Sequence, residues 1–161
     1  MTFMDILTIL SRWLHVTSAI LAVGGAFFLR VILPMGTASL DPENREAVFL
    51  RCRRGFKMVV HSSILVLLLT GAYNAYRNWD WYSAKPGLTH GLFGMHGLLA
   101  LAVFAISLWL LAGREPTRSH RGWMKINLLL MLLAVAAASS LKWVRDRTMA
   151  DQAGPPVRVQ R

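Results

Sequence analysis

Four long runs of this chain contain no Asp, Glu, Lys or Arg, at residues 13–29, 58–76, 86–113 and 126–141. A helix needs about 20 mostly apolar residues to cross a hydrocarbon core of about 30 Å. The two shorter runs reach that length when their basic flanking residues extend charged ends to the interface. Those residues are Arg12, Arg30, Lys125 and Lys142. We therefore predict transmembrane helices near residues 5–33, 55–77, 88–112 and 122–145.

The runs favour helices over a membrane-spanning barrel. Barrel strands alternate apolar and polar residues, whereas residues 64–69 and 128–133 form continuous apolar blocks. The predicted fold class is all-α, a four-transmembrane-helix bundle that occupies residues 1–147. From Thr148 onward, polar residues and an Ala-Gly-Pro-Pro segment predict a flexible tail over residues 148–161.

The ends and connections of these helices carry local signals. The first span opens with Asp5 and is too long for a cleaved signal peptide, so we expect it to be retained. Asp41-Pro42-Glu43 is typical of a helix start, so the second span is expected to begin as a surface helix near residue 42. Trp79-Asp80-Trp81-Tyr82 would place three amphipathic rings at headgroup level.

The composition supports a membrane protein. Of the 161 residues, 55% are hydrophobic and 16% are charged, which departs from the soluble average. The net charge of +10 does not indicate nucleic-acid binding, because the basic residues gather at the ends of apolar runs rather than along one polar face. A lone cysteine, Cys52, excludes an internal disulfide and gives no information on the redox compartment.

Four spans put both termini on one face, which we call side A, and put two turns, one between spans 1 and 2 and one between spans 3 and 4, on side B. Ten of the 18 Lys and Arg residues lie on side B and eight on side A. The excess of basic residues predicts a cytoplasmic side B, with the termini on the extracytoplasmic side.

Three of the five histidines fall inside spans: His15 in the first, His61 in the second and His96 in the third. An imidazole in hydrocarbon needs a polar partner, and it marks either a functional site or a contact between helices. His15 and His96 lie in the side A half of the membrane, where Lys142 of span 4 also arrives, whereas His61 lies toward side B.

Small residues accompany these histidines. His15 heads a stripe of Ser18, Ala19, Ala22, Gly25 and Ala26, span 3 carries Gly87, Gly91, Gly94 and Gly97, and span 4 aligns Asn127, Ala134, Ala138 and Lys142. Small side chains permit close helix packing and also leave room for a flat macrocycle between helices.

Two imidazoles on different helices at one depth are what six-coordinate haem requires in a bundle. We name His15 and His96 as the leading ligands of a noncovalent haem b, with His61 as a second-site candidate and Lys142 near the site. Basic residues around Arg54 would hold either propionates or, more commonly, anionic lipid headgroups. Copper is less supported, because the eight Met residues form no tight cluster with histidine.

The chain resembles the four-helix membrane family of HemJ-type protoporphyrinogen oxidases and CopD-like (copper resistance protein D) domains. The resemblance rests on Trp13-Leu14-His15 followed by Gly24, Gly25, Phe28, Arg30 and Pro34, then Arg53-Arg54, Thr70-Gly71, Asn127 and Lys142. It implies that His15 is associated with haem or porphyrin. The chain departs from the HemJ type by carrying His96 where that type has Lys, and Leu128-Leu129-Leu130 after Asn127 where that type has a Glu-x-Pro sequence.

Three hypotheses follow. The leading one is a haem b protein of a bacterial inner membrane, in electron transfer or porphyrin-linked redox chemistry. The second is a protoporphyrinogen oxidase, as the resemblance implies. The third is a non-catalytic subunit of a membrane complex, or a copper-handling protein. The lipid bilayer is the expected partner under all three, together with other membrane proteins or a second copy of the chain.

Overall fold

Helices make up the fold in the part of the chain that the computed structural model describes, which is residues 2–84, 87–112 and 118–153. In chain order they are α1 (Phe3–Phe27), a single π-helical turn (Phe28–Ile32), α2 (Leu33–Gly36), α3 (Pro42–Arg77), α4 (Trp79–Ala84), α5 (Leu88–Ala112) and α6 (Arg118–Ala153). The π turn joins α1 to α2 without a break, so residues 3–36 form one rod.

The described residues contain four helical segments that are long and apolar enough to cross a membrane. They are Phe3–Gly36, Pro42–Arg77, Thr89–Ala112 and Gly122–Met149. The predicted all-α bundle of four membrane-spanning helices is therefore confirmed. Large aliphatic side chains cover its outside, where Leu69 and Leu98 are 64% and 71% exposed. Such a surface is suited to lipid rather than water.

The bundle consists of two helical hairpins. The first hairpin is the rod of residues 3–36 with α3, and the second hairpin is α5 with α6. Contacts are extensive within each hairpin and sparse between the two, where α1 meets α6 and α3 meets α5. Two small apolar clusters join the hairpins, one of Ala22, Val103 and Met131 and the other of Val60, Ile64 and Leu111. Sparse contact between the hairpins leaves space between them.

Two helix starts are capped by side chains. Thr2 and Asp5 form a capping box at α1, since the Thr2 backbone N–H donates to the Asp5 carboxylate and the Asp5 N–H donates to the Thr2 hydroxyl. Asp41 caps α3 and accepts from the backbone N–H of Asn44 at 3.0 Å, which holds the pKa of Asp41 below its usual value. The predicted helix start at residue 42 is confirmed.

Two local expectations differ from the structure. Helix α6 runs to Ala153, so the expected tail is helical over its first six residues, and residues 154–161 lie outside the described residues. In α4, Trp79 is exposed as expected, but Tyr82 is buried against Phe93 of α5, with ring centroids 4.5 Å apart. A ring that can pack on a neighbouring helix buries apolar area there instead of resting at headgroup level.

The glycines of α5 also differ from expectation. Gly91 and Gly94 are exposed, with open space where a Cβ would lie, whereas Gly97 borders the space between the hairpins. The small-residue stripe of α5 therefore lies largely on the outer surface. The stripe of α1 lies inside, where Ser18 and Ala22 are buried.

Gly25 of α1 lies in close contact with α3. A Cβ at this position would overlap the ring of Phe56, which itself packs against the Val60–Ile64–Leu111 cluster. At the neighbouring Gly24, no atom lies within 4 Å of the position that a Cβ would occupy. The two adjacent glycines therefore form a matched pair, one constrained by packing and one free.

We predict that Gly25→Ala destabilises the protein by about 1–3 kcal/mol, because the added methyl group displaces Phe56 from its cluster. Gly24→Ala should leave stability unchanged or slightly raised, since alanine favours the helix and meets nothing. Denaturant unfolding in detergent micelles, followed by circular dichroism, measures both. Equal stabilities of the two variants would show that α1 and α3 are not in close contact at this point.

Candidate functional site

A cavity of about 370 Å³ lies between the two hairpins, and all four long helices contribute to its wall. The wall includes His15 and Ala19 of α1, Gly71 and Ala72 of α3, His96 and Gly97 of α5, and Met131 and Val135 of α6. Its volume is in the range of small-molecule and cofactor sites. The residues that line it include no Asp, Glu, Lys or Arg, so its described surface is apolar apart from two imidazoles and the hydroxyl of Ser107.

Small side chains on the facing helices keep this space open. Ala19 and Ala22 of α1 and Gly97 and Ala100 of α5 line it, and side chains this short fill little of the gap. Two wall residues, Leu68 of α3 and Leu101 of α5, are themselves 46% and 59% exposed at the outer surface. The cavity therefore opens between α3 and α5 toward the lipid.

Three hydrogen bonds between α1 and α3 lead to the first imidazole. The hydroxyls of Thr8 and Tyr73 lie 3.2 Å apart, the Ser11 hydroxyl donates to the Asn74 side-chain oxygen at 3.3 Å, and Nδ1 of His15 lies 2.9 Å from the Thr70 hydroxyl. Their α1 members recur every three or four residues, so they share one helix face. This polar ladder fixes how α1 and α3 are rotated about their axes.

The partners of His15 determine its tautomer. The Thr70 hydroxyl lies 2.5 Å from the carbonyl oxygen of Val66 and donates its only proton there. That hydroxyl can then only accept from His15, so Nδ1 of the neutral ring carries the proton and Nε2 has a free lone pair. The ring also lies against Gly71, where a Cβ would be 3.5 Å from His15 Cε1, so a larger residue would crowd it.

His96 is held in the same way from the second hairpin. Its Nδ1 lies 3.0 Å from the backbone carbonyl oxygen of Ala134 on α6. A carbonyl only accepts, so Nδ1 of the neutral ring is again the protonated nitrogen and Nε2 is unprotonated.

The two neutral imidazoles are therefore the same tautomer, with the proton on Nδ1. Within the described residues, Nε2 of neither ring makes a hydrogen bond. A neutral imidazole with an anchored Nδ1–H and a free Nε2 is the form that binds metal in proteins. The structure thus brings two imidazoles, one from each hairpin, to one apolar cavity.

The other predicted site residues lie elsewhere. His61 is exposed on α3, and among the described residues it bonds only to its own helix, with Nδ1 2.6 Å from the Lys57 carbonyl oxygen. Arg54 is exposed, and Lys142 is exposed and ion-paired with Asp146 one turn along α6. None of these three lines the cavity. His90 is exposed, and the side chain of His120 lies outside the described residues.

Two arginines connect the hairpins. Arg53 of α3 donates to the carbonyl oxygen of Leu110 on α5 at 2.6 Å, near side B. Arg145 of α6 donates at 2.6 Å to the side-chain oxygen of Asn78, the C-cap of α3 near side A. These contacts bridge the two hairpins at opposite ends of the cavity. The sequence gives no signal for either pairing, because both arginines look like ordinary residues at the end of a span.

Positive charge lies near the side A end of the cavity. Burial raises the pKa of the Tyr82 hydroxyl, and the charges of Arg145 and Arg12 oppose that rise. Tyr82 packs on Phe93, which lines the cavity. Both arginines therefore act electrostatically on a residue that contacts the cavity wall.

Among the described residues, no group of three or more His, Cys, Asp or Glu side chains is arranged to hold a metal ion. The two cavity histidines are fewer than a protein-only metal cage needs. A macrocycle that supplies its own equatorial ligands needs only axial ones from the protein.

Comparison with known proteins adds no relative: no family model, no curated protein and no solved structure matches this chain. The resemblance to the HemJ-type and CopD-like proteins accordingly stays a prediction.

We predict that Thr70→Val lowers stability by about 1 kcal/mol, because the isosteric side chain leaves the His15 Nδ1–H without an acceptor inside the bundle. Thr70→Ser retains the hydroxyl and should restore most of that loss. Unfolding of the three proteins in mixed micelles gives the comparison. If serine destabilises as much as valine, the hydroxyl is not what matters at this position.

Proposed function

We propose that this chain is an integral membrane protein that binds haem b between its two hairpins, with His15 and His96 as the axial ligands. The observation that carries the proposal is the pair of cavity imidazoles, each anchored through Nδ1 and each with a free Nε2. The two imidazoles belong to different hairpins, so each would serve one face of a flat ligand bound between them.

The cavity wall fits such a group. A porphyrin is flat and largely apolar. The wall offers small residues at Ala19, Gly71, Gly97 and Ala100, and none of the described residues that line the cavity is Asp, Glu, Lys or Arg. The charged edge of haem would need a cationic neighbour. None of Arg12, Arg54 and Arg145 lines the cavity. Arg12 and Arg145 act electrostatically on Tyr82, which packs against the cavity residue Phe93, so we assign these two to the charged edge.

Bound haem would supply one-electron redox chemistry. The protein's contribution is positional and electrostatic. Thr70 and the Ala134 carbonyl orient the two rings and keep Nε2 unprotonated. The hydrogen bonds at Nδ1 would also raise the basicity of Nε2 as a ligand. The aliphatic wall excludes water, which sets the local dielectric. These features support electron transfer as the activity.

Absorption spectra of the detergent-purified protein, oxidised and reduced, test the proposal. We expect the wild type to show a Soret band and the reduced-state bands of low-spin haem with two histidine ligands. His15→Ala and His96→Ala should each lose the low-spin spectrum, because one axial ligand is gone. His61→Ala is the matched control, since it removes an exposed imidazole that lies outside the cavity, and it should leave the spectrum unchanged.

Rescue separates ligation from a merely structural role. Adding imidazole to His15→Gly or His96→Gly should restore the low-spin spectrum if the removed ring was an axial ligand. Circular dichroism and gel filtration verify that each variant remains folded. A wild-type protein without a Soret band from haem-replete cells, or equal loss of haem in His61→Ala, would contradict the proposal. Stoichiometric copper in the same preparation would favour copper handling instead.

A further inference from the structure

A second feature lies on the outer surface, on the side B half of the bundle. A groove of about 510 Å³ runs between the first rod and α6. Its apolar part is formed by Val31, Pro34 and Met35 on one side and by Leu128, Leu129 and Leu132 on the other. Its two cations are Arg30 and Lys125. Each described side chain that lines the groove is therefore either apolar or positively charged.

Neither cation is satisfied within the described residues. Nε of Arg30 is buried and has no hydrogen-bond partner. Lys125 is exposed and makes no hydrogen bond or ion pair with a described residue. Glu46 lines a neighbouring cavity that Arg30 also borders, but no Arg30–Glu46 ion pair lies within 4.0 Å. A guanidinium and an ammonium without a described partner leave their other N–H donors available to an anionic ligand in the groove.

The π turn places Arg30 at this position. It spans Phe28–Ile32 and so includes Arg30 at its centre. A π turn adds a residue to one turn of a helix and changes the direction of the side chains beside it, and such turns recur at functional sites. The rod needs no such turn to cross a membrane, so its presence beside an unpaired arginine is a specific feature of this surface.

We propose that this groove binds one anionic phospholipid. Arg30 and Lys125 would contact the phosphate, and an acyl chain would lie along Leu128, Leu129 and Leu132. Leu132 is seven residues from Lys125 along α6, a rise of about 10 Å toward the membrane centre, which is the direction an acyl chain takes from its headgroup. Two unpaired cations beside an apolar strip complement such a lipid, and basic sites between membrane helices are known to bind anionic headgroups.

Native mass spectrometry of protein exchanged into mixed micelles of phosphatidylglycerol and phosphatidylcholine tests the proposal. We expect the wild type to retain one phosphatidylglycerol in preference to phosphatidylcholine. Arg30→Gln combined with Lys125→Gln should reduce that retention about tenfold or more, since both phosphate contacts are lost. Arg77→Gln combined with Arg147→Gln is the matched control. It removes two exposed cations of side A outside the groove, so retention should not change.

Two further variants keep the test decisive if the double substitution at Arg30 and Lys125 fails to fold. Lys125→Gln alone changes an exposed side chain and should weaken retention severalfold. Leu129→Trp fills the groove while both cations remain, and it should also reduce retention. Equal retention of the two lipids, equal loss in the control double variant, or no retained lipid in the wild type would each overturn the proposal.

Discussion

The absence of water in the hydrocarbon core is the constraint on which this structure depends. A polar side chain there must find its partner on a neighbouring helix, and in this bundle such partners set the register of the helices. The ladder that ends at His15 and Thr70 fixes α1 against α3, and His96 is fixed against α6 by a backbone carbonyl. Arg53 and Arg145 then hold one hairpin against the other at the two ends of the cavity.

The cavity follows from how unevenly the helices are packed. The two helices of each hairpin are closely packed against one another, as Gly25 of α1 is against Phe56 of α3, whereas contacts between the hairpins are few. Small side chains on the facing walls leave about 370 Å³ between them, and the same hydrogen bonds that tie the helices turn two imidazoles into that space. We propose that haem binds in this interior space and that a lipid binds in the outer groove at Arg30.

The number of helices and their approximate ends could be predicted, because charged residues interrupt the apolar runs and local capping signals such as Asp41-Pro42 act through the nearest backbone. Predictions that needed a neighbouring helix fared less well. Tyr82 looked like an interfacial ring and is packed on Phe93, the glycines Gly91 and Gly94 of α5 are on the outside, and Lys142 pairs with Asp146 instead of lining the cavity. The π turn around Arg30 has no signal in the residue pattern.

Sequence by itself determined that four apolar helices cross a membrane and which of them carry imidazoles, since both depend on the residues of one segment. Only the tertiary structure decided that His15 and His96 share a cavity and that Thr70 and the Ala134 carbonyl fix the tautomers of these two rings. It also decided that His61 is exposed at the outer surface. The physical reason is that lipid and protein interior are equally apolar. Hydropathy therefore cannot distinguish the inner face of a membrane helix from its outer face, and the pairing of polar groups across helices does.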